Sequence, residues 1–264
     1  MKEKLWNHIT TVRKQAPLVH NITNYVVMNN TANALLAIGA SPIMSHAHEE
    51  MEAMQQICNS LVINIGTLDK YWVKSMHLAI EAANKNKKPW VLDPVGAGAS
   101  PFRDEVLSEL LNLKPTAIRG NASEILALAK HNKTQTKGVD STASSLDAID
   151  AARFLNKQYN SVVIISGETD VIVSAELEVK LNNGNSLMTK ITGMGCSASA
   201  ILAAFLAVIP ESAEAAVAAT ALISIAGEIS AKSCDGPGSL QVSILDKLHS
   251  ITENEFLKHL KIEN

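Results

Sequence analysis

Two glycines spaced around one residue, with a thiol next in line, can bring backbone amides and a sulfur to one point. ITGMGCSASAILAAFLAV is such a run, placing Gly193, Gly195 and Cys196 at the head of an Ala-rich helical stretch. The glycines let the chain turn tightly, so that several N–H groups converge at a helix N-terminus. With the positive end of the helix dipole, that geometry suits a phosphate or a developing anion. A packing turn is the alternative for any isolated G-x-G pair. Cys196 argues against it, because a thiol at a helix N-terminus is expected to have its pKa lowered from about 8.5 and to serve as base or nucleophile. Cys58 and Cys234 are read as inert packing.

Two carboxylates accompany this turn. Asp93 ends the apolar run in WVLDPVGAGAS, where it can hold Mg²⁺ through water, as phosphoryl transfer requires. Glu124 lies in RGNASEILAL, three residues after Asn121, the spacing of a capping box with Asn at the N-cap and Glu at N3. Taken alone, the cap is the favoured reading. Arg119, just before it at a strand end, is placed to pair a phosphate and argues for the site. His46 and His48 beside Glu49 and Glu50 imitate a metal site but lack a third ligand, so they read as a solvated helix start. No G-x-x-x-x-G-K-[ST], no G-x-G-x-x-G after the first strand and no G-x-S-x-G is present, which disfavours a P-loop, a dinucleotide fold and an α/β-hydrolase. A non-P-loop phosphate site with carboxylates suited to Mg²⁺ remains.

The elements that must position these residues alternate. Strand-like runs occur at 18–22, 42–44, 61–66, 90–95, 116–120 and 161–167, several of them apolar almost throughout, as parallel strands covered on both faces are. Helix-length stretches fall at 24–38, 49–59, 70–86, 102–111 and 123–130; in 70–86, Trp72, Met76, Ile80 and Ala83 share one face. Segments 171–176 and 177–183 read as an antiparallel pair, followed by Ala-rich helices at 195–208 and 211–231. One α/β domain with a largely parallel sheet and a helical C-terminal end is the expectation. Polar residues gather at the strands' C-terminal ends: His20-Asn21, Ser45-His46, Gly66-Thr67, Asp93, Arg119-Gly120-Asn121 and Ser166-Gly167. In an open parallel sheet those ends converge on the edge where ligands bind.

Length and composition agree. The 264 residues are 47% hydrophobic and 19% charged with a net charge of −3, which is core-forming and excludes a disordered, collagen-like or coiled-coil chain. With no basic face, neither nucleic acid nor an anionic membrane is an expected partner. Three scattered cysteines without C-x-x-C fit a reducing compartment. The charged N-terminus lacks the apolar core of a signal peptide, and the longest apolar run is ten residues against the roughly 20 of a membrane span. A cytoplasmic protein is expected.

The order PLVHNITNYVVMNNTANALLAIGASPIMS, LVINIGTL, VLDPVGAGAS, IRGNASEI, SGETD and TGMGCSASA resembles the hydroxyethylthiazole kinases of the ribokinase superfamily, over about residues 5 to 250. The resemblance implies a three-layer ribokinase-like fold without a separate lid domain, spanning 1–264. It implies ATP-dependent phosphorylation of the hydroxyl of 4-methyl-5-(2-hydroxyethyl)thiazole in thiamine salvage. It further implies homotrimers with sites at subunit interfaces. Carried onto matching positions, Arg119 and Ser166 would contact ATP, Met44 and Gly193 the thiazole, and Asp93 and Glu124 Mg²⁺ and its waters. Gly193 to Cys196 would form the anion hole, and Asn24 is a further candidate for the thiazole pocket. The superfamily usually has an Asp base after the glycine pair, where this chain has Cys196; Ser166 stands where many relatives have Thr.

The rival chemistries of the superfamily are pyrimidine or pyridoxal phosphorylation and ATP-dependent hydrate dehydration. Pyrimidine kinases share the cysteine but not the HNITN segment, and the dehydratases typically keep G-x-G-D. A non-catalytic thiazole sensor would be free to lose Asp93, Arg119, Glu124 or Cys196, and all four are present.

Overall fold

Six parallel strands form the frame: β1 (Leu18–Ile22), β2 (Ser41–Ile43), β3 (Ser60–Asn64), β4 (Trp90–Asp93), β5 (Ala117–Asn121) and β6 (Val162–Ser166). The computed structural model describes residues 2–136 and 147–263. Among these, β7 (Asp170–Val173), β8 (Glu178–Leu181) and β9 (Ile262–Glu263) continue the same sheet antiparallel, in the order β2-β1-β3-β4-β5-β6-β7-β8-β9. The antiparallel pair foreseen at 171–183 is shorter than its sequence run. Ser174 turns the chain, its hydroxyl accepting the N–H groups of Glu176 and Leu177.

Near-continuous apolar strands follow from coverage on both faces. Val19, Val62, Val91, Ala117 and Ile164 pack under α1 (Lys2–Gln15), α2 (Met28–Ala37), α8 (Met194–Leu206), α9 (Ser212–Ser230), α10 (Pro237–Ser250) and α11 (Glu253–His259). The alternate residues Leu61, Ile63, Leu92, Ile118 and Val163 face α3 (Met51–Ile57), α4 (Lys70–Lys85), α5 (Pro101–Asn112), α6 (Ala122–Thr136) and α7 (Ala148–Tyr159). Each such fully buried Val, Leu or Ile side chain contributes about 1.5–3 kcal/mol. In α4 the expected stripe of Trp72, Met76, Ile80 and Ala83 is buried, and the Asp69 carboxylate caps the helix by accepting from Trp72 N–H at 2.8 Å.

Alanine lets α9 run close against α8 and α10. Ser212–Ser233 is long enough and on average apolar enough to span a bilayer, although it holds no apolar run longer than the ten residues noted above, and 72% of its most apolar window is buried within the protein. Two helices begin later than the pattern suggested. Asn24 holds the first as a turn, its Oδ1 accepting from Val26 N–H and its carbonyl from Val27 N–H, so α2 starts at Met28. His48–Glu50 forms a 3-10 turn ahead of α3.

Candidate active site

Parallel pairing sets the site before any side chain is considered. Register places Asn64 beside Asp93 and Asn121 beside Ser166, so the ends of β3, β4, β5 and β6 lie side by side at one edge. The head of α8 sits over that edge. Gly193 is its N-cap, at φ +80°, a region that favours glycine, and a Cβ there would lie 2.7 Å from Val27 Cγ1. Asn30 Nδ2 donates to Thr192 O at 3.1 Å and fastens the preceding residue. The turn therefore aims the first N–H groups of α8 at the sheet edge, an arrangement that suits an anion.

Arg119 lies beneath this turn, nearly buried, with Nη1 donating to Gly195 O at 3.1 Å. Burial raises the carboxyls of both Asp93 and Asp170, and the Arg119 charge opposes that rise at each. Asp170 also accepts from Gly167 N–H and Ser224 Oγ–H. Ser166 is half-buried, its hydroxyl donating to Gly120 O at 3.3 Å.

Asp93 is 4% exposed and accepts from Asn64 Nδ2 at 2.7 Å. Burial pushes its carboxyl up to about 6; Arg119, Ser199 and Asn64 pull it down, and the charge of Glu124 pushes it up. Glu124 closes the capping box: Asn121 Oδ1 accepts from Glu124 N–H and Glu124 Oε2 from Asn121 N–H, both at 2.9 Å. Its other oxygen accepts from Gly96 N–H at 3.1 Å, fixing the glycine loop after β4. The cap is therefore real, and the charge of the same carboxylate also acts on Asp93.

Cys196 departs from the sequence reading. Its thiol is pushed up to about 12, not lowered, because burial and the neighbouring charge of Asp93 outweigh the helix end and the amides of Asn64 and Asn24. Those amides reach Sγ at 3.2 and 3.6 Å. Cys58 is buried and Cys234 packs against the core, as expected. His46 and His48 stack on Trp72 and Tyr71 instead of converging on a metal. Met44 is half-buried just past the edge strand β2, separated from β3 by β1. Sequence reasoning passed over Asn64, Ser199 and Asp170; the signal for the first was an amide inside the apolar run LVINIG.

Two carboxylates that repel one another, with one of them buried, suit a cation. Among the described residues no three His, Cys, Asp or Glu side chains form a cage. Water and phosphate oxygens would complete the coordination, as they do for Mg²⁺ on nucleotides. The donor set therefore fits that ion.

Residues 9–254 match the hydroxyethylthiazole kinase family. The chain belongs to that family. It is 52% identical to the hydroxyethylthiazole kinase of Vibrio parahaemolyticus serotype O3:K6, over 99% of this chain and 98% of that one. The solved hydroxyethylthiazole kinase of Pyrococcus horikoshii OT3 superposes with a TM-score of 0.91 at 39% identity, covering 99% of this chain and 98% of the other. Staphylococcus aureus pyridoxal kinase, solved with AMP-PCP and pyridoxal, shares the fold with a TM-score of 0.66 at 16% identity over 94% and 98% of the two chains. The ribokinase-like fold is thus confirmed, and the chain is a kinase.

Proposed function

We propose the following division of roles at this edge. The reaction is the family's: ATP-dependent phosphorylation of the hydroxyl of 4-methyl-5-(2-hydroxyethyl)thiazole, in thiamine salvage. The alcohol oxygen bonds to the γ-phosphorus, the bond to the β,γ-bridging oxygen breaks and ADP leaves, while the alcohol proton passes late to an oxygen of the transferred phosphoryl group. The N–H groups from Gly193 to Cys196 form the anion hole for the transferring group. Arg119 and Ser166 contact ATP, and Gly193 and Met44 contact the thiazole. Asp93 and Glu124 hold Mg²⁺ through its waters; when bound, that ion neutralises phosphate charge. The observation that carries this reading is the gathering of the α8 N-terminus, Arg119, Asp93 and Glu124 at one sheet edge.

Cys196 enters as a neutral thiol. With its proton held to about 12, it orients the alcohol oxygen and does not take the proton before transfer. In a loose transition state that proton leaves late, and base assistance is worth at most about 10²–10⁴-fold. Cysteine can therefore stand where the superfamily usually has aspartate.

We further read the chain as one domain over 1–264, cytoplasmic, and assembled as a homotrimer with sites at subunit interfaces. Support for assembly comes from exposed Tyr25, Val26, Leu36 and Ile57 and from the half-buried edge strand β2, which leads into Met44. A sensor is the second reading, and one assay separates them. Purified protein with Mg²⁺-ATP is offered the thiazole alcohol, hydroxymethylpyrimidine and pyridoxal, and products are read by mass. Phosphorylation of the thiazole alcohol with the highest kcat/KM is expected. Preference for either other alcohol, or thiazole binding without product, overturns the assignment.

A further inference from the structure

Asn64 ends β3 behind Leu61-Val62-Ile63, is 1% exposed, and has every hydrogen-bonding capacity filled by the site. Its Nδ2 donates one hydrogen to Asp93 Oδ2 at 2.7 Å and the other to Cys196 Sγ at 3.2 Å. Its Oδ1 accepts from Asn24 Nδ2 at 2.9 Å and from Gly66 N–H at 3.0 Å. The amide cannot be turned over, since the Asp93 carboxylate needs a donor and the Gly66 N–H an acceptor. Asn24 is seated as firmly. Its Oδ1 accepts from Val26 N–H, and it packs so closely on Gly66 that a Cβ there would come within 2.7 Å of Nδ2. Asn24 then gives the sulfur a second amide at 3.6 Å.

We infer that Asn64, seated by Asn24, is a positioning residue for phosphoryl transfer, its single amide fixing the Cys196 thiol relative to the Asp93 carboxylate. This role rests on the reading of those two groups given above. Asp93 belongs to the phosphate and metal side of the site and Cys196 to the alcohol side, so one planar amide sets the spacing between the two reactants. Misplacement of reacting groups by about 1 Å costs on the order of 10²-fold in rate, so a spacer of this kind acts on kcat.

A double-mutant cycle tests it. kcat, KM for the thiazole alcohol at saturating Mg²⁺-ATP, and Tm are measured for the native chain, Asn64→Ala, Cys196→Ala and the double variant. Asn64→Ala is expected to lower kcat at least about tenfold with KM within about threefold, and to lower it at least about fivefold less in the Cys196→Ala background. Equal losses in both backgrounds would mean that the substitution only loosens the fold, and a kcat within about twofold of native would mean that no positioning is needed; either overturns the inference. If Asn64→Ala does not fold, Asn24→Ala carries the same cycle, with its kcat loss expected to vanish in the Cys196→Ala background. A native chain that forms no thiazole phosphate overturns the kinase assignment and this role together. A native chain that turns over while the cycle is additive overturns only the role of Asn64.

Discussion

Substitution of Glu124 separates two jobs performed by one carboxylate. Its oxygens accept from Asn121 N–H at 2.9 Å and Gly96 N–H at 3.1 Å, and its charge also acts on Asp93, its proposed partner in holding Mg²⁺. Glu124→Ala loses a cap worth about 1 kcal/mol and a loop hydrogen bond worth about as much. The sum, about 2 kcal/mol, corresponds in a chain of this size to a Tm lower by about 4–8 °C. Glu124→Gln keeps one acceptor and the shape, so its Tm should fall by about half as much, while the charge is gone. Loss of a carboxylate supporting a metal typically costs about 10–100-fold in metal affinity. The half-saturating Mg²⁺ concentration of Glu124→Gln should rise by that factor, with thiazole binding unchanged. Thermal melts and turnover titrated with Mg²⁺ read both effects. Native Mg²⁺ dependence in Glu124→Gln would leave Glu124 a cap and nothing more.

Other expectations follow from the same geometry. Cys196→Ala, which removes an orienting group and no base, should keep measurable turnover, down by no more than about 10²-fold, and Cys196→Asp should be active or faster; a folded Cys196→Asp without turnover would refute the thiol's positional role. Gly193→Ala meets both φ +80° and Val27 at 2.7 Å and should lower Tm by about 5–10 °C. Gly195→Ala, whose nearest neighbour would be Arg119 Nη1 at 3.5 Å, should melt within about 2 °C of native; equal Tm values would contradict this contrast. Buried His20, held by Ser45 O and Gln55, is pushed down to about 4 by burial, so the unfolded chain alone binds its proton between about 4 and 6.5. Stability from this group is complete above 6.5 and is lost as pH falls to 4, about 3 kcal/mol at 1.36 kcal/mol per unit. Urea unfolding of native and His20→Gln proteins at pH 7 and 4.5 checks this, and identical losses would refute it.

The strand ends carried most of what the sequence revealed. Near-continuous apolar runs announced parallel strands, and their polar last residues foretold the edge where Asp93, Arg119 and Ser166 meet. The elements that read poorly were those whose residues do their work through distant partners. α1, α10, α11 and β9 lie outside the strand–helix alternation; α1 is defined by burying Leu5, Ile9 and Val12 against the far end of the chain. The state of Cys196 was misjudged for the same reason. A local rule about helix ends lowers a thiol's pKa, whereas burial beside Asp93, brought there by the fold, raises it. Glu124 was legible as a cap from spacing alone, but its hold on Gly96 depends on β4 and β5 lying side by side. Asn64 was visible as an amide in an apolar run, although nothing in one dimension says that it touches Cys196.

The central claim is that this edge transfers the γ-phosphate of ATP to the thiazole alcohol. ADP and thiazole phosphate should be measured together, from purified protein with Mg²⁺-ATP, with and without the alcohol. Alcohol-dependent ADP release is expected, with one thiazole phosphate formed for each ADP. Thiazole binding by a folded protein without alcohol-dependent ADP, or ADP released without thiazole phosphate, would contradict it.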